Sequence, residues 1–275
     1  MPRRTPGKWP RLFEFEDQRW LPCILRNQMT DALRYLIVEM KIYDPIIPEF
    51  LWVMQKSRTK KVVDLCSGGT GPWHYLLGAI GDLEEVVERV TLTDLYPNEN
   101  ALKTLAAHHH LFAYTADSVN ALDIDVKLEG VRTIFSSFHH FDTAEAISIL
   151  QDAVDKKMPI CVFEFTERRL VNLLITPISM VVLFAKLLCA RPLTMSKFLF
   201  CLVLPVVPLI YIWDSAVSHL RSYSREELQA LVGCVDNAGT FVWEIGQSTS
   251  PKTPLKNTFL IGYPKKRPAA TNKSA

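Results

Sequence analysis

Two groups of residues in this chain stand where their types and spacing can do chemistry. The first is built on a carboxylate. Asp64 closes a short β-branched stretch (Val62, Val63), and Cys66, Ser67, Gly68, Gly69, Thr70 and Gly71 follow at once. Strand, glycine turn and helix together offer backbone N–H groups and a helix N-terminus to a nucleotide-like ligand. A dinucleotide loop would read G-x-G-x-x-G, but here Gly71 is followed by Pro72, Trp73 and His74. The acid ahead of the turn would also repel a pyrophosphate. A carboxylate in that place suits a ligand bearing positive charge, or hydroxyl and ammonium donors. The second group holds candidate acid–base residues: His139, His140 and Glu164, with Glu167 and Asp214 further along. Glu164 lies between Phe163 and Phe165, where an unpaired carboxylate is costly. It is therefore the first choice for contact with a second substrate.

The elements that must position these groups read as alternating strands and helices. Strands are expected at Val62–Asp64, Glu88–Asp94, Phe112–Thr115, Val131–Ser136 and Ile160–Phe165, with a closing antiparallel pair at Thr240–Ile245 and Thr258–Tyr263. Helices are expected at Leu25–Met40, from Phe50 to Met54, at His74–Ile80, Pro97–His110 and Thr143–Lys156, and from Ser224, which stands in capping-box spacing with Glu227. Such alternation implies a mostly parallel sheet, because parallel strands need crossover connections.

The order acid, glycine loop, acid after the second strand, acid after the third resembles the class I (Rossmann-like) S-adenosylmethionine-dependent methyltransferases. The resemblance covers about Lys60 to Thr166 and the closing strands to Tyr263. The family's acid-x-G-x-G-x-G motif stands here as Asp64-Leu-Cys66-Ser-Gly68-Gly-Thr70-Gly71, with Cys66 and Thr70 in glycine positions. It implies an α/β three-layer sandwich with a mostly parallel sheet and an antiparallel last strand, and S-adenosyl-L-methionine as cofactor. Asp64, Cys66, Ser67, Gly68, Gly69 and Gly71 would then hold the methionine part. Asp94, with Leu95, would take the ribose hydroxyls, and Asp117, with Ser118, the adenine. Ser136 and Ser137 would border the transferred methyl, and Phe138-His139-His140-Phe141 is similar to a feature of small-molecule methyltransferases. Taken singly, Asp94 also suits a helix N-cap, Asp117-Ser118 a turn, and the two histidines a structural role. The resemblance leaves open a relative that uses the cofactor for another transfer, and a binding protein without catalysis.

Two apolar runs without charges interrupt the pattern, Leu170–Ala185 and Phe198–Trp213, with Lys186, Arg191 and Lys197 between them. Each has 16 residues, spanning ~24 Å as a helix against ~30 Å of bilayer core. A shallow hairpin inserted from the cytoplasmic side, with its basic turn near headgroups, avoids carrying that turn across. Residues 170–213 are thus expected to seat the chain on a membrane and admit a small lipophilic acceptor. A spanning pair and buried core helices are the alternatives. The chain divides accordingly into an N-terminal helical cap (1–58), a cofactor-binding core (59–167), the apolar insert (168–213), the rest of the core (214–264) and a disordered tail (265–275).

Composition sets the remaining bounds. With 31 Lys+Arg against 29 Asp+Glu the net charge is only +2, which argues against a nucleic-acid partner. The six cysteines form no Cys-x-x-Cys pair, so neither a metal site nor a disulfide framework is expected, and a reducing compartment is. No secretory signal is read at the N-terminus.

Overall fold

The computed structural model describes residues 12–68, 70–81, 83–174, 184, 194–249 and 256–265. The expectations for Gly69, for most of the first apolar run with its basic turn, and for the tail beyond residue 265 lie outside the described residues.

All seven expected strands form, as β1 (Lys61–Leu65), β2 (Arg89–Leu92), β3 (Phe112–Tyr114), β4 (Val131–Phe135), β5 (Ile160–Glu164), β6 (Phe241–Thr249) and β7 (Lys256–Pro264). They make one sheet in the order β3-β2-β1-β4-β5-β7-β6. Neighbours from β3 to β5 pair in parallel. β7 runs antiparallel to both β5 and β6, so β6 points the same way as the first five. This is the Rossmann-like methyltransferase arrangement, including its one reversed strand.

The central strands are covered on both faces, and their alternating side chains divide between two cores. Val62, Phe135 and Phe163 point into one, with Tyr43, Phe50, Trp73 and Leu102. Their chain neighbours Val63, Ile134 and Val162 point into the other, with Ile149, Leu150, Leu228 and Leu231. The first core lies under α2 (Ile47–Ser57), α3 (Trp73–Ala79), α4 (Leu83–Val86) and α5 (Glu99–His108). The second lies under α6 (Thr143–Asp155) and the helix Arg225–Cys234. Both of these helices open with capping boxes, Asp142 with Glu145 and Ser224 with Glu227. α2 begins three residues before the expected start, with Pro48 in its first turn, where a missing N–H costs nothing.

A third, smaller core ties α1 (Cys23–Met40) to the helix Val206–Arg221 through Leu21, Met29, Ala32, Val207, Ile210 and Tyr211. The second apolar run is not one arm of a straight hairpin. It forms a helical turn (Met195–Phe198), a π-turn (Leu199–Val203) and then the helix from Val206. The two pieces bend by 67° at Leu204-Pro205, where proline removes a backbone donor and breaks the helical ladder. Among the described residues no single helix is long and apolar enough to cross a membrane.

Candidate active site

The sheet's order reverses between β1 and β4, and in open α/β sheets such a switch point leaves a crevice beyond the strands' C-terminal ends. A cavity of about 260 Å³ lies there. Loops after four successive strands line it: Cys66, Ser67 and Gly68 after β1; Asp94, Leu95 and Tyr96 after β2; Asn120 after β3; Ser136, Ser137 and His140 after β4. The lead-in and α1 close it with Glu16, Asp17, Arg26, Thr30 and Arg34.

The glycine loop keeps glycine-like geometry without glycine at every position. Gly68 and Gly71 have φ of 53°. Cys66 (58°) and Thr70 (94°) also lie at positive φ, although neither is glycine, a conformation that costs roughly 1–2 kcal/mol for an L-residue. Asp64 holds the loop in this shape from beneath. Its Oδ1 accepts the Thr133 hydroxyl across the β1–β4 ladder at 2.6 Å, and its Oδ2 accepts the Ser67 hydroxyl at 2.7 Å. Burial drives its pKa up to about 7 against those two hydrogen bonds. Asp64 does not line the cavity: its two oxygens are occupied by the loop and by β4. Both hydrogen bonds position the loop.

Asp94 does face the cavity. Its oxygens accept the Gly68 N–H and the Tyr96 N–H, each at 2.7 Å, which fixes the carboxylate while leaving lone pairs toward the space. Burial raises its pKa, with both N–H donors opposing. Asp117 and Ser118 are exposed and do not line the cavity. The Ser118 hydroxyl instead donates to the Leu95 carbonyl at 2.8 Å. The turn therefore braces the loop after β2, and Val119, Asn120 and Ala121 form the wall.

Ser136 sits at φ 45° at the end of β4 and accepts the buried Tyr43 hydroxyl at 2.6 Å. Beyond it the two histidines part ways. His140 lines the cavity, and its Nδ1 lies 2.6 Å from Asp17 and 3.5 Å from Glu14. Burial alone would lower its pKa. Glu14, followed by the hydrogen bond and charge of Asp17, outweighs burial and holds it at about 10. At neutral pH His140 therefore carries its proton, and acts as a cation and donor rather than a base. His139 is buried away from the cavity, with Nδ1 2.7 Å from Glu164.

Glu164 also lies behind the wall. Its Oε1 accepts the Phe138 and His139 N–H groups at 2.7 and 3.4 Å, and its Oε2 accepts the Thr166 hydroxyl at 3.0 Å. Burial would raise its pKa, but the charge and hydrogen bond of His139 and the Phe138 N–H hold it below the usual carboxylate range. Glu164, expected from the sequence to contact a second substrate, here holds the 138–140 turn in place.

The lead-in supplies what the sequence reading missed. Asp214 accepts the Phe15 and Glu16 N–H groups at 2.8 and 3.0 Å. Arg221 donates to Glu14, Asp17 and the His140 carbonyl. Arg26 stacks 4.3 Å over the Tyr96 ring while donating to the Glu16 and Gln18 carbonyls. Glu16 faces the cavity with its pKa pushed up to about 8, chiefly by burial. The alternation Phe13-Glu14-Phe15-Glu16 was the available signal, since it gives an extended segment one charged face. Together these groups offer hydrogen-bond acceptors at the β2 end, a backbone cradle at the β1 end, and a mixed charged wall from the lead-in.

No family model and no curated protein matches this sequence. Similar solved structures include the plantazolicin methyltransferase BpumL in complex with SAH, 13% identical over 88% of each chain with a TM-score of 0.48. Another is the methyltransferase domain of bacterial CtHen1, 12% identical over 81% of this chain and 99% of that one, TM-score 0.49. A third is a SAM-dependent methyltransferase from Aquifex aeolicus, 12% identical over 86% and 97%, TM-score 0.46. At such identities the likeness concerns the fold alone, and the strand order described above stands independently of these superpositions.

Proposed function

We propose that this chain is an S-adenosylmethionine-dependent methyltransferase acting on a small acceptor. The observation that carries the reading is Asp94. A carboxylate at the end of β2, fixed by the Gly68 and Tyr96 N–H groups, faces the same cavity as the positive-φ glycine loop. Such a carboxylate suits paired ribose hydroxyls, and Gly68 suits close approach of a ligand because only Thr30, at 3.6 Å, stands near its missing Cβ. Cys66, Ser67 and Gly68 would hold the methionine part, Asp94 and Leu95 the ribose, and the Val119–Ala121 wall the adenine. When bound, the sulfonium supplies an electrophilic methyl group. The chain's own share is then orientation and exclusion of water, with Ser136, Ser137 and the His140 cation at the acceptor side.

The acceptor side also carries the membrane reading. Leu170, Leu174, Met195, Leu202, Leu209 and Trp20 are each more than half exposed, and we read them as membrane contacts. The bent piece Met195–Arg221 packs directly on α1, whose other residues line the cavity. Seating that face at the cytoplasmic surface of a bilayer would bring lipophilic acceptors to the entrance. Calorimetric titration with S-adenosylmethionine tests the cofactor, and absence of binding at high micromolar ligand refutes it. Release of S-adenosylhomocysteine in the presence of a lipid extract separates methyl transfer from another transfer or from binding alone. Flotation with anionic vesicles tests the membrane face; an L202E/L209E variant floating as well as the parent would sink it.

A further inference from the structure

Behind the acceptor wall lies a cluster that the reading above does not use. One oxygen of Glu14 and one ring nitrogen each of His139 and His140 lie within 4.8 Å of one another. Glu14 and His139 are almost wholly buried, at 1% and 2% exposure. In the tautomer whose Nδ1 donates to Glu164, 2.7 Å away, Nε2 is the nitrogen left to bind a metal. That Nε2 is buried and has no hydrogen-bond partner, a costly state for a polar atom. Arg221 occupies Glu14 Oε1 at 3.0 Å, while Oε2 accepts the Ser218 hydroxyl at 3.2 Å and lies 3.5 Å from His140 Nδ1. Each imidazole also has a carboxylate on Nδ1, Glu164 for His139 and Asp17 for His140. Carboxylate–histidine pairs of this kind orient metal-bound imidazoles and raise their basicity. Three carboxylates, Glu14, Asp17 and Glu164, pair here with Arg221 and the two histidines.

From this geometry we infer that Glu14, His139 and His140 form a site for a first-row divalent cation such as zinc or manganese. Two imidazoles and one carboxylate are a ligand set suited to those ions. Tetrahedral bonds of ~2.1 Å need ligand atoms about 3.4 Å apart, so the cluster would close by roughly an ångström on binding, with the ion replacing a proton on His140. Because His140 also lines the cavity, a bound cation would attract an acceptor bearing an oxygen ligand; this last step rests on the methyltransferase reading. Local pattern carries no sign of the site, because Glu14 lies far from the histidines along the chain.

The full chain is stripped with chelator and titrated with zinc by calorimetry and with cobalt by visible absorption. One ion per chain is expected. His139→Asn and Glu14→Gln should each weaken binding at least ~10-fold, as should Glu164→Gln through His139. His109→Asn, in the exposed group Glu84–His109–His110, should leave it within about twofold. Circular dichroism of each stripped variant verifies folding, and Glu14→Gln keeps the test decisive should His139→Asn not fold. Lack of stoichiometric binding overturns the site, as does binding lost in His109→Asn but kept in His139→Asn. S-adenosylhomocysteine titration of the same samples separates the readings: metal binding without nucleotide binding refutes the methyltransferase and leaves this site standing.

Discussion

Replacing Glu164 with glutamine tests the division between residues that touch ligand and residues that hold the wall. The carboxylate accepts four donors, from the Phe138 and His139 backbone, the His139 ring and the Thr166 hydroxyl, and is 6% exposed. Glutamine keeps the shape and one acceptor oxygen but loses the charge and turns an NH₂ toward former donors. His139 can adapt by changing tautomer, so the loss is that of charge-assisted hydrogen bonds, about 2 kcal/mol. In a chain of this size that lowers the melting temperature by roughly 4–8 °C. Alanine would strand the buried His139 and cost about 3–5 kcal/mol. The assays are thermal melting and calorimetric titration with S-adenosylhomocysteine. Melting should fall as stated while nucleotide affinity changes less than about threefold. An unchanged melting temperature with affinity reduced more than tenfold would refute the reasoning, since the carboxylate would then face the ligand.

Asp94→Ala should weaken S-adenosylhomocysteine binding by about 10- to 100-fold, the loss of hydrogen bonds to a charged group, whereas Asp117→Ala should leave it within about twofold; titration of both variants reads this. Gly71→Ala should destabilise by about 1–2 kcal/mol through its positive φ, while Thr70→Gly should be near neutral, because it relieves a strained residue whose buried hydroxyl has no partner; denaturant midpoints compare them. Stability should fall from pH 6 to pH 8. Asp64 and Asp214 are raised to about 7 and Glu16 to about 8, chiefly by burial, so each favours the folded state while protonated and loses that contribution as pH rises through its folded pKa. The effect is about 1 kcal/mol per group over this range, and His140, raised to about 10, works in the same direction. A higher denaturant midpoint at pH 8 would contradict this, and Asp64→Asn should flatten part of the slope.

Local signals along the chain are enough to place the sheet. β-branched runs, turn residues and helical periodicity are local signals, and all seven strands stand where those signals put them, as do the helices around them apart from α4, which was not expected, and the early start of α2. The glycine loop was legible for the same reason, whereas the glycine-like φ of Cys66 and Thr70 is seen only in the fold. Asp94 was legible as the acid closing β2. Which carboxylates reach the cavity depends on contacts between distant segments. Asp64 and Glu164 carry the same signal as Asp94, an acid ending a strand. The hydroxyl of Thr133 one strand away turns Asp64 toward the loop, and His139 and the Phe138 N–H turn Glu164 inward. Nor could local pattern bring Glu14 and Asp17 across more than a hundred residues to His140. That meeting depends on Asp214 and Arg221 binding the lead-in, and side-chain hydrogen bonds between distant segments leave no period in the sequence.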